Sequence, residues 1–284
     1  MSTRRLDVAL AAAGLARSRT QAQRIIDEGR ARIDGRPASR ASTPVPDGSH
    51  LEVVDVPDGV EYASRAAHKL HGALDELSLE VTGRHCLDAG ASTGGFTDVL
   101  LRRGAAGVIA VDIGHDQLAA HLRDDPRVRV HDGTSVRDLT PQLIGGTVDL
   151  LVADLSFISL RTVVAPLASV VQPDGDLLLM VKPQFEVGRR ALPRRGVVTD
   201  SAQRLGAVLE VARSAADAGL GTVGAGASSL PGQDGNVEYF LHLRPAGRAA
   251  ALPARACDMI EHAVTGRAAP GAHPRTTEGE DGAG

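Results

Sequence analysis

Tryptophan is absent from these 284 residues, and the aromatic side chains come to two tyrosines and four phenylalanines. Hydrophobic residues make up 43% of the chain, enough for a sizeable core, but alanine, valine and leucine must fill it. Cysteine is nearly as scarce. Cys86 and Cys257 stand far apart with no metal-ligand spacing, which argues against a disulfide framework or a metal centre and for a reducing, cytoplasmic setting. No apolar run approaches the ~18 residues of a membrane span. The basic start "MSTRRLDVAL" is broken by Asp7 too early for a signal peptide, so a soluble protein without membrane association is expected. A formal net charge of −4 excludes a chain that is basic throughout. The sharpest scarcity is lysine: among 31 Lys and Arg residues, lysine occurs only at Lys69 and Lys182.

Charge is unevenly spread. Residues 1–40 hold nine arginines against four acids. Within residues 1–56, "RLDVALAAAG" predicts a short helix stopped by Gly14. "SRTQAQRIIDEG" opens on the capping box Ser18-x-x-Gln21 and stops at Gly29. Asp34-Gly35 predicts a hairpin turn between short strands, and "SHLEVVDV" one more strand. Small helices and strands rimmed with Arg4, Arg5, Arg17, Arg19 and Arg24 suit a nucleic-acid-binding module, with a merely solvated basic face as the alternative.

Residues 57–64 form a linker, and Ser64 is placed to cap a helix running to about Leu77, with Ala67, Leu70, Leu74 and Leu77 at helical spacing. Over residues 65–244, seven strand patterns ("HCLDAG", "GVIAVDI", "VRVHD", "VDLLVADLS", "DLLLMVKP", "GTVGAGASSL", "VEYFLHLR") alternate with helices near 95–103, 115–122, 159–171 and 201–218. Near-continuous apolar strands separated by helices predict a doubly wound, mostly parallel α/β sheet, with a small α+β unit ahead of it. Residues 245–284, rich in Ala, Gly, Pro and charge, are expected to be mostly disordered.

The turn "LDAGASTGGF" follows a strand and opens a helix, the place where a doubly wound sheet binds its cofactor. Ser92 breaks the Gly-x-Gly-x-x-Gly dinucleotide fingerprint that would begin at Gly90, which disfavours an NAD-dependent oxidoreductase. Asp88 ahead of the turn would repel a pyrophosphate and suits a cationic ligand. The turn, Asp88 to Phe96 with Gly90, Ser92, Gly94 and Gly95, resembles the first motif of S-adenosylmethionine-dependent methyltransferases. On that reading Asp112, followed by Ile113, accepts the ribose hydroxyls of the adenosine, and Asp132 takes the adenine edge. Strand-end aspartates also commonly cap the next helix, though three in register weigh against that.

Lys69, Asp154 and Lys182 at strand ends or nearby, and Glu238 opening the last strand, match in order the Lys-Asp-Lys-Glu tetrad of ribose 2′-O-methyltransferases of the FtsJ/RrmJ type, which the catalytic region resembles. A ribose hydroxyl must lose its proton as it attacks. Arginine is always protonated and cannot take it, whereas lysine can be tuned by burial and neighbouring charge. Lys182 is thus the candidate base, or steers the hydroxyl by hydrogen bonding and charge, and Asp154 and Glu238 orient the two ammonium groups. Asp154 also borders the expected cofactor site. Base-amine and carbon-5 methylation lack their marks: "DLSF" stands where an (Asp/Asn)-Pro-Pro-(Tyr/Phe) loop would, and neither cysteine lies near the fourth or fifth strand.

The first thirty-odd residues also resemble the RNA-binding domain first described in ribosomal protein S-four. Placed ahead of an FtsJ-like unit, they give the arrangement of the TlyA family, and the resemblance covers about residues 1–244. It rests on "SRAAHKL", "LDAGASTGGFTD", "VDIGHDQL", "DLSFISL", "VKPQFE" and "VEYFLHL" together. The resemblance implies methylation of cytidine 2′-hydroxyls in small- and large-subunit ribosomal RNA, a link to capreomycin and viomycin susceptibility, ribosomal subunits as partner, and no obligate protein partner. Arg189, Arg190, Arg194 and Arg195, in "QFEVGRRALPRRGVVTD", are expected to contact phosphates beside the target, with a plain solvated loop as the alternative. Family members have also been called haemolysins, so a membrane-lytic protein is a rival reading, as is an RNA-binding protein with an inert methyltransferase fold. No strongly amphipathic basic helix supports the first, and a complete tetrad argues against the second.

Overall fold

The computed structural model describes residues 3–27, 29–54, 62–188, 190–232, 235–247 and 251–266, apart from the side chains of residues 24 and 27. The amino-terminal unit comprises β1 (Thr3–Arg5), α1 (Leu6–Ala12), α2 (Arg19–Asp27), β2 (Ala31–Ile33), β3 (Arg36–Pro37), β4 (Pro44–Pro46) and β5 (Leu51–Val53). Gly14 follows α1 at φ +72. Ser18 Oγ accepts the Gln21 N–H at 3.1 Å, while Gln21 Oε1 accepts from Arg17 N–H rather than Ser18, so only half of the capping box forms. Asp34 (φ +50) and Gly35 (φ +76) take the left-handed conformation that a tight hairpin between β2 and β3 requires. Leu6, Leu10, Ile25 and Ile26 fill a small core. Strands β1 and β4 pair as a separate ribbon that the sequence did not suggest, because three residues are too few to show a period.

The larger unit contains α3 (Ala66–Glu76), β6 (His85–Ala89), α4 (Gly95–Arg102), β7 (Gly107–Val111), α5 (Ala120–Arg123), β8 (Val128–His131), α6 (Pro141–Ile144), β9 (Val148–Ala153), α7 (Val164–Ser169), β10 (Val171–Val181), α8 (Pro183–Glu186), α9 (Ser201–Asp217), β11 (Leu220–Ala227), β12 (Tyr239–Pro245) and α10 (Ala254–Thr265). Its seven-stranded sheet runs β11-β12-β10-β9-β6-β7-β8. Strands β10, β9, β6, β7 and β8 are mutually parallel, and β12 is antiparallel to both neighbours. Successive residues serve opposite faces. In β10, Leu177, Leu179 and Val181 join the core shared with α9 and α10, while Leu178 and Met180 join the one shared with α3 and α4. Burial on both faces explains why the strands read as unbroken apolar runs.

Several expectations change. The Ser64 hydroxyl does not cap α3, whose first residue follows Arg65 with no side-chain cap. Residues 57–61 of the linker lie outside the described residues, and Tyr62 and Ala63 are buried in the catalytic core rather than linking. The helix expected over 115–122 shortens to α5, and that over 159–171 divides into a 3₁₀ turn (Leu160–Thr162) and α7. Expected disorder after residue 245 fails for α10, which buries Ala256, Ile260 and Val264. The apolar spacing that docks it is diluted in the sequence by small and charged neighbours. Residues 248–250 and 267–284 lie outside the described residues.

Candidate active site

The carboxyl ends of parallel strands gather on one edge of the sheet, and strand order reverses between β6 and its neighbours β7 and β9. Asp154 directly follows β9 and Lys182 directly follows β10. Because β12 runs antiparallel to β10, with Tyr239 opposite Val181, its beginning lies at the same edge, and Glu238 arrives beside the two strand ends. Helix α3 brings Lys69 on its buried side, alongside Ala67 and Leu70.

The four side chains form two ion pairs. Lys69 Nζ donates to Glu238 Oε2 at 2.5 Å, and Lys182 Nζ lies 2.6 Å from Asp154 Oδ1 in a close pair whose angles are not those of a hydrogen bond. Lys182 also donates to Ser156 Oγ at 2.8 Å. Both lysines are under 10% exposed, yet each has its counter-charge, so burial leaves no unpaired ammonium. All four residues line one cleft of about 1190 Å³.

One end of that cleft is the glycine turn. Gly90 (φ +86), Ser92 (φ +48) and Gly94 (φ +97) are left-handed. A Cβ on Gly90 would lie 2.7 Å from the Asp154 carbonyl oxygen, so only glycine lets the β6 turn approach the β9 end this closely. Gly90, Ser92, Gly95 and Phe96 line the cleft. Asp112 stands just behind Ser92: its Oδ2 accepts the Ser92 N–H and its Oδ1 the Gly114 N–H. Ile113 is 69% exposed beside it. Asp132 accepts from the Asp116 N–H and from Arg123, which together hold its carboxyl below the usual range. Gly94 packs under Leu118 and Leu122. Asp88 lies beneath the turn, fully buried: Thr97 Oγ1 donates to Oδ2, and Oδ1 has no hydrogen-bond partner among the described residues. Burial pushes its carboxyl up to about 7. Thus Asp88, Gly94, Asp112, Ile113 and Asp132 stand behind or beside the cleft wall rather than in it.

Carboxylates around a glycine-only close approach, with one buried acid oxygen unpaired, fit S-adenosylmethionine, which is cationic and carries a ribose diol, and not a pyrophosphate. Among the described residues no group of His, Cys, Asp and Glu could hold a metal ion.

The amino-terminal unit reaches the same cleft through Asp7, Arg19, Thr20 and Gln23. Arg5 and Arg19 hold Asp7 in ion pairs of 3.0 and 2.9 Å, which lower its carboxyl to about 2. Arg4 and Arg17 are exposed, and Arg24's side chain lies outside the described residues. Beyond β10, Arg190, Arg194 and Arg195 are exposed, and Arg189 lies outside the described residues.

Three features in or beside the cleft escaped the sequence reading. Phe157 is 92% exposed, left-handed (φ +64), and tilted against Phe185 at 5.3 Å between ring centres. Its signal was available, since it is one of only four phenylalanines. Ser156 contacts Lys182, as above. Glu186, nearly fully buried, accepts from Ser159 Oγ (2.6 Å) and the Leu160 N–H (2.7 Å), tying the segment after β9 to the one after β10. Nothing local in the sequence announces that tie.

Comparison with known proteins identifies the family. The FtsJ-like methyltransferase family matches residues 62–245, and the S4 domain family matches residues 4–51. A Mycobacterium tuberculosis protein (strain CDC 1551 / Oshkosh) named 16S/23S rRNA (cytidine-2'-O)-methyltransferase TlyA is 55% identical over 84% of this chain and 89% of its own length. Hemolysin A of Brachyspira hyodysenteriae is 34% identical over 84% of this chain and 98% of its own. Among solved structures, a "Putative hemolysin from Streptococcus thermophilus" superposes with a TM-score of 0.73 at 33% identity, covering 94% of this chain and 96% of that one. This chain belongs to the TlyA family of FtsJ-like methyltransferases, with an S4 domain ahead of the catalytic unit.

Proposed function

We propose that the protein transfers a methyl group from S-adenosylmethionine to the 2′-hydroxyl of cytidine in small- and large-subunit ribosomal RNA, working on ribosomal subunits in the cytoplasm. The observation that carries this reading is the cleft's pair of buried lysines, the only two in the chain, each matched to a carboxylate. The name of the M. tuberculosis relative supplies the cytidine and the two ribosomal RNAs.

S-adenosylmethionine, when bound, supplies an electrophilic methyl group. Gly90, Ser92 and Asp112, with Asp88 beneath them, would hold it. Lys182 takes the proton of the attacking hydroxyl at Nζ, which arginine could not do. Asp154 fixes Lys182 and stabilises the charge it acquires, and Glu238 fixes Lys69, whose ammonium adds positive potential to the cleft. Most of the acceleration comes from positioning, with proton transfer adding roughly 10²–10⁴-fold. Phe157 offers a ring face on which a base taken out of its stack can rest. Arg19 at the cleft and the exposed Arg190, Arg194 and Arg195 hold flanking phosphates.

The test is methyl transfer from labelled S-adenosylmethionine to unmethylated ribosomal subunits, comparing the protein with its Lys182→Arg variant and mapping linkages that resist alkaline hydrolysis. A linkage protected only by the unchanged protein supports both the 2′-O assignment and the lysine. Equal transfer by both removes Lys182 as base. Among the described residues no helix is long and apolar enough to cross a membrane, and no feature of the cleft favours the membrane-lytic reading.

A further inference from the structure

Resting on that reading, the surroundings of Lys182 assign a role to a residue outside the tetrad. Among the described residues Lys182 Nζ has two polar neighbours, Asp154 Oδ1 at 2.6 Å and Ser156 Oγ at 2.8 Å. A lysine nitrogen has four tetrahedral positions. Acting as a base, it carries its stem, two N–H bonds and a lone pair: Ser156 Oγ accepts one N–H, Asp154 Oδ1 lies in close contact beside the nitrogen, and the lone pair is left for the proton of the incoming hydroxyl. The hydrogen bond to Ser156 and the contact with Asp154 therefore set where the lone pair points. Solvent access differs sharply between the partners: the Lys182 side chain is 10% exposed, while Ser156 is exposed and lines the cleft. Since Lys182 donates to Oγ, the serine's own O–H is left to face water.

The segment that carries Ser156 is held firmly. Glu186 grips Ser159 and Leu160, Arg161 reaches back to the Glu186 carbonyl oxygen at 3.2 Å, and Phe157 leans on Phe185. Ser156 is thus fixed relative to the β10 end from which Lys182 projects.

We propose that Ser156 is a positioning residue for the reaction: with Asp154 it orients the Lys182 amine towards the ribose hydroxyl, and it passes the proton Lys182 acquires to solvent. As the oxygen–methyl bond forms and the methyl–sulfur bond breaks, its electron pair returning to sulfur, the 2′-O–H proton moves to Lys182 Nζ. That proton then passes to Ser156 Oγ as the serine releases its own to water, and the amine is ready for another turnover.

The experiment measures kcat, KM for RNA and dissociation of S-adenosylmethionine for the unchanged protein, Ser156→Ala, Ser156→Thr, Lys182→Ala and the double variant Ser156→Ala/Lys182→Ala. Expected is a loss of about tenfold or more in kcat for Ser156→Ala, with KM and cofactor affinity within about twofold. Threonine, which keeps the hydroxyl, restores most of the rate. Alanine at 156 adds no further loss once Lys182 is gone, because the serine acts through that amine. A Ser156→Ala enzyme within twofold of the unchanged rate overturns the proposal, and so does an equal additional loss in the Lys182→Ala background. If Lys182→Ala itself keeps full rate, the base assignment fails, a different result from a silent Ser156. Melting temperatures within a few degrees exclude a folding defect at this exposed position.

Discussion

At the scale of single residues, the roles proposed for the two lysines differ, and the two should tolerate arginine differently. Lys69 contributes charge and pairs with Glu238, and arginine preserves both. Lys69→Arg should therefore keep more activity than Lys182→Arg, which removes the proposed proton acceptor and should lower kcat by roughly 10²–10⁴-fold. Single-turnover methyl transfer at saturating cofactor compares them directly, and the reverse order would exchange their roles. Asp88 makes a separate prediction about pH. Its carboxyl rises from 3.8 to about 7 through burial, so between those values the folded state holds a proton that the unfolded chain has released. Stability is then greatest at the acid end of that window and falls as pH rises through it, levelling above about 7. Thermal melts of the cofactor-free protein from pH 5 to 8 should show this fall, and Asp88→Asn, which can still accept from Thr97, should flatten it. A melting temperature that climbs steadily over the same range would contradict the assignment.

At the scale of elements, the continuous apolar strands and the glycine-closed helices were legible because each is a local pattern. Gly14 and Gly29 end helices, and Asp34-Gly35 turns the hairpin, as the residues require. Helix α10 was not legible. Its apolar residues are spaced for a helix, but alanines and charges around them lower the contrast, and only burial of Ile260 and Val264 against the sheet core decides the outcome. Ile260→Ala should cost about 2–5 kcal/mol in denaturant unfolding, as expected for a truncation in a packed core. A cost under about 0.5 kcal/mol would mean α10 is an ornament. The turn after β6 makes the companion case: Gly90→Ala would force a Cβ onto the Asp154 carbonyl. Weakened cofactor binding by calorimetry is the expected result, with RNA binding retained.

At the scale of the whole molecule, exposed arginines on two separate segments are the proposed phosphate contacts. Replacing the exposed Arg190, Arg194 and Arg195 by alanine should weaken RNA binding similarly for all sequences and reduce the slope of log affinity against log salt by up to about 3. An unchanged slope would leave those arginines as ordinary solvated residues. By itself the sequence determined the architecture class and, through its resemblance to the FtsJ/RrmJ type, offered the cofactor turn and the four tetrad candidates. The strands and the glycine turn depend on residue type and short-range spacing, and lysine was rare enough for its two positions to stand out against the family's tetrad. Only the tertiary structure decided which carboxylate serves which lysine. Lys69 meets Glu238 across 169 residues of chain because β12 runs antiparallel beside β10. Only it brought Asp7 and Arg19 into the catalytic cleft and set Ser156 and Phe157 at the strand ends. Such contacts follow from strand register and from burial between segments remote in sequence, terms that no local pattern contains.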